Sequence, residues 1–460
     1  MSSFTDLGVP RKLVAVLADL GITDPFPIQA ATLPDSLAGR DVLGRGRTGS
    51  GKTYAFALPV IARLASSGTP RRPGRPRALI LAPTRELATQ IHATVAPLAA
   101  AAGLRTLTVF GGVGPRPQIN GLRAGVDVLI ACPGRLADHI QQGHASLDAV
   151  EITVLDEADH MADLGFLPVV RRLLDRTPRA GQRMLFSATL DGGVDVLVDR
   201  YLHKPVTHSV DAAAEAPPEM AHHVLHVRHD DRFAVLVDLV AAPGRTMVFT
   251  RTKHRARTLT RQLVAAGVPA VELHGNLAQN ARERNLSAFA GGTAQTLVAT
   301  DIAARGIHVD DVALVIHADP PVEHKAYLHR SGRTARAGAA GTVITLMTDD
   351  QQRDVRDLTR KAGIRPTTTA ARPGDTVLSR LAPGERTFTP SSPPTAPDPG
   401  SRRAGRSGPS HRGGGSQPRP APSHGRRTRG APTPDRSTGR QSGGAAAFSA
   451  ASRTGGRRGH

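Results

Sequence analysis

The feature that most constrains the fold is a repeated alternation between short apolar runs and longer helical patterns. Five runs in the first 207 residues have the length of buried strands, and they occupy 78–83, 106–110, 127–131, 152–155 and 183–186. A second series occupies 223–227, 246–249, 270–273, 296–299, 314–316 and 342–346. Strands spaced by helices predict parallel α/β sheets. We therefore predict two tandem α/β domains, at 1–207 and 219–370, joined by a linker at 208–218.

The composition changes beyond the second domain. Residues 371–460 are rich in Arg, Gly, Pro and Ser, and the last sixty contain thirteen arginines, no lysine and one acid, Asp435. Such a segment cannot bury enough apolar surface to fold by itself. We predict a disordered basic tail whose arginines could contact the phosphates of a nucleic acid.

The net charge of +20 suits a polyanionic partner. The chain has 53 arginines but only six lysines, a bias that a GC-rich genome also produces, so charge alone leaves both explanations open. Cys132 is the only cysteine, which excludes an internal disulfide and predicts no disulfide-linked partner. No apolar stretch reaches the roughly 18 residues of a membrane span, and no signal peptide is apparent. A cytoplasmic protein without a membrane partner is expected.

A glycine-rich loop carries the first chemical signal. The stretch GRTGSGKT at 46–53 follows an apolar run and precedes a helical pattern. Its glycines allow backbone N–H groups to surround phosphate oxygens, Lys52 can reach the β- and γ-phosphates, and Thr53 can bind Mg²⁺. A chance glycine-rich turn is the alternative, but the position between strand and helix favours a nucleotide site. The residues predicted to bind ATP here are Gly46, Arg47, Thr48, Gly49, Ser50, Gly51, Lys52 and Thr53.

Closely spaced carboxylates supply the second signal. Asp156, Glu157 and Asp159 follow the apolar run 152–155, about 100 residues after the glycine-rich loop. An acid at a strand end can complete a Mg²⁺ site, and a neighbouring carboxylate can orient or deprotonate the attacking water. Acids are also common at helix N-termini, so this motif gains its meaning from the phosphate loop. Asp156 is predicted as the metal ligand and Glu157 as the catalytic carboxylate.

The complete set of motifs resembles the DEAD-box ATP-dependent RNA helicases, a superfamily-two group built from two RecA-like domains. The resemblance covers roughly residues 4–370, and the motifs occur in the family's order. In the first half they are PTRELA at 83–88, GG at 111–112, CPGR at 132–135, DEAD at 156–159 and SAT at 187–189. In the second half they are FTR at 249–251, QNAR at 279–282, ATDIAARG at 299–306 and HRSGRTAR at 329–336.

This resemblance implies the fold and the nucleotide contacts. It implies two RecA-like domains with parallel sheets, followed by the predicted disordered basic tail. Gln29 would read the adenine edge, and Phe4 would stack on the adenine ring. Arg333 and Arg336 would reach ATP from the second domain as catalytic cations. ATP and Mg²⁺ are the implied cofactors.

The resemblance also implies contacts to RNA and between the domains. Residues expected to hold RNA phosphates are Thr84, Arg85, Gly111, Gly112, Gly134, Arg135, Arg282 and Thr300. Residues expected to couple the domains are Asp159, Ser187, Thr189 and His329. Single-stranded RNA and short duplexes would be the partners, with ribosomal or mRNA-decay proteins as further candidates.

Several positions depart from the family pattern. Phe26 stands where the family has Ser or Thr, and the lost hydroxyl is expected to loosen the link between Gln29 and the phosphate loop. Cys132 replaces a Thr that bonds RNA, and a thiol is the weaker donor. The other departures are Ile22, Arg47, His308, Ser331 and Ala335.

Three functions remain open on the sequence. The first is an RNA-dependent ATPase that unwinds short duplexes or remodels RNA–protein complexes. The second is an RNA clamp or annealing chaperone in which ATP only gates release. The third is a DNA translocase, which the D-E-A-D motif and the predicted adenine-reading segment at 2–30 disfavour.

Overall fold

The computed structural model describes residues 2–46, 49–191, 193–210, 220–304, 307, 311–335 and 341–389. Two seven-stranded sheets, one in each half of this range, have helices between their strands. Both belong to a single compact unit. The predicted class, two tandem parallel α/β domains of the RecA-like type, is confirmed.

The first domain contains strands β1–β7 and helices α1–α9. Its strands are β1 Val42–Arg45, β2 Ala78–Leu81, β3 Thr106–Val109, β4 Val128–Ala131, β5 Ile152–Leu155, β6 Gln182–Ser187 and β7 Val206–Ser209. Its helices are α1 Arg11–Asp19, α2 Pro27–Leu37, α3 Lys52–Ser66, α4 Arg85–Ala101, α5 Pro115–Ala124, α6 Pro133–Gln141, α7 Ala158–Asp163, α8 Leu167–Leu174 and α9 Val194–Tyr201.

The second domain contains strands β8–β14 and helices α10–α16. Its strands are β8 Met220–His226, β9 Arg245–Thr250, β10 Ala270–Leu273, β11 Thr296–Thr300, β12 Val312–His317, β13 Gly341–Met347 and β14 Thr367–Ala370. Its helices are α10 Arg232–Val240, α11 Lys253–Ala265, α12 Gln279–Ala290, α13 Asp301–Ala304, α14 His324–Ser331, α15 Gln352–Lys361 and α16 Thr376–Leu381, with a 3-10 turn at Asp349–Gln351.

The strand orders explain why each domain has a functional edge. The first sheet runs β3-β4-β2-β5-β6-β1-β7 and the second β10-β11-β9-β12-β13-β8-β14, and the paired strands are parallel. All carboxyl ends of a parallel sheet therefore meet at one edge, where open α/β folds bind their ligands. In the first sheet, β5, β6 and β1 are neighbours, which brings the ends of three motif-bearing strands together.

Both faces of the first sheet are covered, as its apolar strands require. Successive residues of β2 show the alternation: Ile80 packs in one core with Phe56 of α3, whereas Leu81 packs in another with Val170 of α8. The second sheet is likewise packed on two sides. A continuous apolar run such as 78–81 is therefore a strand buried on both faces.

Two predicted boundaries were wrong. Strand β7 carries the first domain to Ser209, two residues into the predicted linker. The predicted tail begins too early, because 371–389 continue the second domain: Leu378 of α16 is fully buried and Arg386 pairs with Asp238 of α10 at 2.7 Å. Linker residues 211–218 and the tail from 390 onward lie outside the described residues. Within the described part of the chain, no helix combines the length and apolarity needed to cross a membrane.

Candidate active site

The motifs converge on a cavity of about 320 Å³ at the carboxyl edge of the first sheet. Strand β1 leads into the glycine-rich loop, β5 ends before Asp156, and β6 ends at Ser187. The cavity is lined by Phe26, Gln29, Gly49, Gly51, Lys52, Thr53, Tyr54, Leu87, Gln90, Thr94, Asp156 and Glu157. The structure thus brings together the predicted phosphate loop, the predicted metal ligands and the catalytic carboxylate.

The glycine-rich loop has the backbone geometry that phosphate binding requires. Gly49 and Gly51 have φ of 91° and 87°, which glycine adopts without a steric penalty. A Cβ on Gly51 would lie 2.6 Å from Nε2 of Gln29, so a side chain at this position would displace the glutamine. Lys52 begins α3, and its ammonium donates to the carbonyl of Gly46 at 2.6 Å. Arg47 and Thr48 lie outside the described residues.

Gln29 is fixed directly to this loop. It is 1% exposed, its amide nitrogen donates to the carbonyl of Gly51 at 2.8 Å, and its amide oxygen accepts from the backbone N–H of Phe26 at 3.0 Å. These bonds use the backbone of residue 26 and form without the hydroxyl that Phe26 lacks; a looser link in Phe26-containing protein stays a prediction. Reading of the adenine edge by Gln29 stays a prediction.

Phe4 does not occupy the position predicted for it. Its side chain is only 2% exposed and packs in the core with Leu13, Leu17 and their neighbours. A ring without free surface cannot stack on a base, so the adenine-stacking role assigned to Phe4 is corrected. The aromatic residues that line the cavity are Phe26, which is 53% exposed, and Tyr54.

Asp156 and Glu157 are adjacent but differ in their ionisation. Burial raises the pKa of Asp156 to about 7; the charge of Glu157 adds to this and the ammonium of Lys52 opposes it. Burial acts in the same direction on Glu157, but a hydrogen bond from His160 at 3.1 Å and the charges of Arg333 and Lys52 outweigh it and lower its pKa to about 2. Neighbouring carboxylates with divergent pKa values can serve different roles in one site.

The backbone of Glu157 is strained. Its φ of 50° lies in the left-handed region, which non-glycine residues rarely adopt. This conformation comes between the end of β5 and the start of α7, where Glu157 is bonded to His160 of α7. Such outliers persist where surrounding contacts fix them, and they are frequent at functional sites. His160 was not anticipated from the sequence, although its i+3 spacing from Glu157 on a short helix was a usable signal.

The high pKa of Asp156 predicts how activity depends on pH. Because kcat/KM reports ionisations of the free enzyme, kcat/KM for ATP with Mg²⁺ should fall as the pH drops through about 7. A bound dication favours the ionised carboxylate, so kcat at saturation should hold to lower pH. Steady-state rates between about pH 5.5 and 8.5 measure both. A kcat/KM that stays flat across that range would contradict the prediction.

The raised pKa of Asp156 also predicts how the stability of the fold depends on pH. A carboxyl whose pKa rises from 3.8 to about 7 on folding binds its proton more tightly in the folded state, so it destabilises the fold increasingly as pH rises between these values. Asp156→Asn should therefore raise the melting temperature of the ligand-free protein more at pH 8 than at pH 5.

The coupling residues of the first domain are already bonded to one another. One Oδ of Asp159 accepts from the backbone N–H of Thr189 at 3.0 Å, and Oγ of Ser187 accepts from the N–H of Asp159 at 3.2 Å. On the second domain, His329 lies 3.8 Å from a carboxylate oxygen of Asp163, a residue that belongs to none of the motifs. The contact between the two domains therefore includes Asp163, which lies on α7 one helical turn after Asp159.

Arg333 approaches the site from the second domain. It is 9% exposed, and one of its Nη atoms donates to the carbonyl of Ile307 at 2.9 Å. Its positive charge contributes to the low pKa of Glu157, which places it within electrostatic reach of the catalytic carboxylate. The predicted partner cation Arg336 lies outside the described residues.

The predicted RNA contacts of the first domain lie beside α4 and the glycine pair. Oγ1 of Thr84 caps α4 by accepting from the N–H of Leu87 at 3.2 Å. A Cβ on Gly112, whose φ is 77°, would overlap the Arg85 guanidinium at 1.9 Å, so the glycine allows that arginine to lie over the loop. Gly111 and Gly134 have open space around them, and Arg135 donates to the carbonyl of Val113 at 3.2 Å.

One predicted RNA residue has a different partner. Arg282 is 6% exposed, and its Nε donates to the carboxylate of Glu86 in the first domain at 2.7 Å. Its other nitrogens donate to the carbonyls of His274 and Ala303. The predicted phosphate contact of Arg282 is therefore corrected to an interdomain ion pair, since a buried guanidinium with three acceptors has no surface for RNA. Thr300 ends β11 and remains partly accessible.

Comparisons with known proteins agree with this geometry. A family model described as DEAD/DEAH box helicase matches residues 26–196, and one described as helicase conserved C-terminal domain matches residues 231–338. ATP-dependent RNA helicase RhlB of Shigella boydii is 41% identical over 353 residues, covering 75% of this chain and 84% of that protein. RhlB of Pseudomonas syringae pv. tomato is 39% identical and covers 78% and 92%.

Plant and yeast proteins extend the similarity. DEAD-box ATP-dependent RNA helicase 3A, chloroplastic, of Zea mays is 42% identical, covering 78% of this chain and 49% of that protein. The chain thus spans about half the length of the plant relatives it matches. The structure of S. cerevisiae Dbp5 bound to RNA and ADP BeF3 has a TM-score of 0.72 at 27% identity, covering 83% of this chain and 99% of that chain. This chain therefore belongs to the DEAD/DEAH box helicase family.

Proposed function

We propose that this protein is an RNA-dependent ATPase that unwinds short RNA duplexes or remodels RNA–protein complexes. One observation carries the proposal: the two domains meet across the site, where Arg282 pairs with Glu86 at 2.7 Å and the charge of Arg333 acts on Glu157. Hydrolysis then requires the domains to be together. The structural relative Dbp5 was solved with RNA and a nucleotide analogue, which supports RNA as the partner that closes them.

Each residue has a part in the proposed reaction. The phosphates are held by Lys52 and by the backbone N–H groups of the loop that leads into α3. The N-terminus of a helix commonly binds phosphate in this way. Glu157 orients the attacking water, and Arg333 stabilises charge on the γ-phosphate. The pKa of about 2 keeps Glu157 ionised, which suits it to accept a hydrogen bond from water more than to act as a strong base.

The residues present fit a Mg²⁺ ion. Thr53 and Asp156 line the same cavity and offer the oxygen donors that Mg²⁺ prefers. The raised pKa of Asp156 also indicates that the positive charge around this buried carboxylate does not balance the cost of its burial. A bound dication would supply the missing positive charge. When bound, the ion would neutralise the charge of the β- and γ-phosphates.

The proposed function is tested by the ATPase rate without nucleic acid, with RNA and with DNA of the same sequence. Stimulation by RNA alone is the expected outcome, because the 2′-hydroxyl distinguishes the two strands. Equal stimulation by DNA would favour a DNA translocase. RNA binding without stimulated turnover would favour the clamp or annealing chaperone. Cytoplasmic location and ribosomal or mRNA-decay partners also remain proposals.

We further propose that the adenine ring rests against Phe26. Phe26→Ser should raise the KM for ATP about tenfold, since stacking of a base on an aromatic ring contributes about 1–3 kcal/mol, while kcat stays close to the parent value. Inorganic tripolyphosphate, which has no base, should inhibit parent and variant equally. Phe388→Ser removes an equally exposed ring from the second domain and is the matched control. Unchanged KM for ATP in Phe26→Ser would refute the stacking.

A further inference from the structure

Helix α11 presents an exposed face on which every charged residue is basic. Its thirteen residues, KHRARTLTRQLVA, include Lys253, Arg255, Arg257 and Arg261 but no acid. All four cations are exposed, whereas Ala256, Leu259 and Leu263 form the buried side. Lys253, Arg257 and Arg261 follow i, i+4, i+8 spacing, so they form a stripe with successive Cα atoms about 6 Å apart along the helix axis.

These cations are not neutralised by neighbouring acids. Among the described residues, none of the four forms an ion pair within 4 Å, and Lys253 instead donates to the side-chain oxygen of Asn276 at 3.2 Å. The other helices of ten or more residues described in this domain, α12 and α15, carry acids, and Arg360 of α15 pairs with Asp357 at 2.9 Å. A solubilising surface normally mixes both signs, and α11 does not.

The basic face begins where the second domain is expected to hold RNA. In the parallel pair β9–β11, Thr250 is the register partner of Thr300, the predicted phosphate contact. Helix α11 starts three residues after Thr250, so its first turn lies at that same sheet edge.

We infer that the α11 face binds the phosphates of an RNA segment that extends beyond the cleft between the domains. This inference rests on the proposed RNA-dependent function and adds a second contact surface to it. Guanidinium groups form paired hydrogen bonds with phosphate oxygens. Contacts to phosphates position a strand without reading its sequence. The α11 face should therefore bind long or duplex-bearing RNA more tightly than short strands, and this preference should not depend on the RNA sequence.

The test replaces the two cations furthest from the sheet edge. Arg257→Gln/Arg261→Gln is compared with Arg353→Gln/Arg356→Gln on α15, which removes the same charge from exposed positions of the same domain. Two single strands are used, one of about eight nucleotides, within the range that one binding fold covers, and one roughly three times longer. Binding is measured by fluorescence anisotropy across a salt series, and ATPase stimulation is measured with each RNA.

The α11 variant should bind the longer RNA several-fold more weakly, with a salt slope lower by about 1.4, since each single-strand phosphate contact contributes about 0.7. Stimulation by saturating short RNA should be unchanged, and the α15 variant should match the parent. Equal long-RNA affinity and slope in all three proteins would overturn the inference while leaving the proposed function intact. A parent that no RNA stimulates would overturn the proposed function, and the inference with it.

Discussion

Glu157→Gln should slow ATP hydrolysis at least about a hundredfold while ATP and RNA still bind, since a positioned acid or base group contributes about 10²–10⁴. The carboxylate is buried beside Asp156, bonded to His160 and held in a left-handed conformation. Glutamine preserves the shape but replaces one acceptor oxygen with a donor, so the attacking water loses its orientation. Nucleotide affinity should persist because the phosphate loop is untouched.

The Glu157 prediction is checked by single-turnover hydrolysis with RNA, alongside binding of a fluorescent ATP analogue. Asp148→Asn, which removes one negative charge from an exposed position, is the matched control and should behave as the parent does. Near-normal hydrolysis by Glu157→Gln would assign the water-orienting role to another residue. Loss of nucleotide binding would instead indicate a damaged loop.

Arg333→Gln should abolish most RNA-stimulated turnover, by a factor on the order of 10³–10⁵ if it acts as arginine fingers do in related phosphoryl-transfer enzymes. Arg333 belongs to the second domain, yet its charge helps to lower the pKa of Glu157 in the first. Glutamine removes the charge and also shortens the donor that bonds the carbonyl of Ile307, so an unchanged melting temperature is needed to attribute the loss to the missing charge. Binding of ATP to the first domain should remain.

The measurement for Arg333 is the ATPase rate as a function of RNA concentration. Arg353→Gln, an exposed arginine of the same domain, controls for net charge. Equal maximal stimulation in Arg333→Gln and the parent would rule out the finger role. The pH profile offers a second readout, because losing this cation should raise the pKa of Glu157 above its present value of about 2.

The sequence alone predicted the sheets and the phosphate site well, for a local reason. Buried parallel strands such as 152–155 are continuous apolar runs, so composition reveals them directly. The glycine-rich loop is also local, because positive φ at Gly49 and Gly51 is a property of the residues themselves. The order of motifs then brought Lys52, Asp156 and Ser187 to one sheet edge, as the topology of parallel strands requires.

Elements that depend on partners were not predicted. Edge strands β7 and β14, with sequences VTHS and TTTA, contain no buried residue and no apolar run. Helix α16 is recognised only by the core that buries Leu378. Ala335 shows a backbone strain that the sequence indicated only as a departure from the family pattern. It stands where the family has glycine and adopts φ of 55°, a conformation that strains a residue with a Cβ.

Side-chain roles were decided by the tertiary structure. The sequence identified Phe4 as an aromatic at a suggestive spacing, but packing buries it and leaves Phe26 exposed at the cavity. The sequence likewise assigned Arg282 to RNA, whereas the approach of the two domains places Glu86 against it. A motif specifies which groups are available. Only the three-dimensional packing decides which surfaces remain free, because burial and ion pairing depend on residues nearly 200 positions apart in the chain.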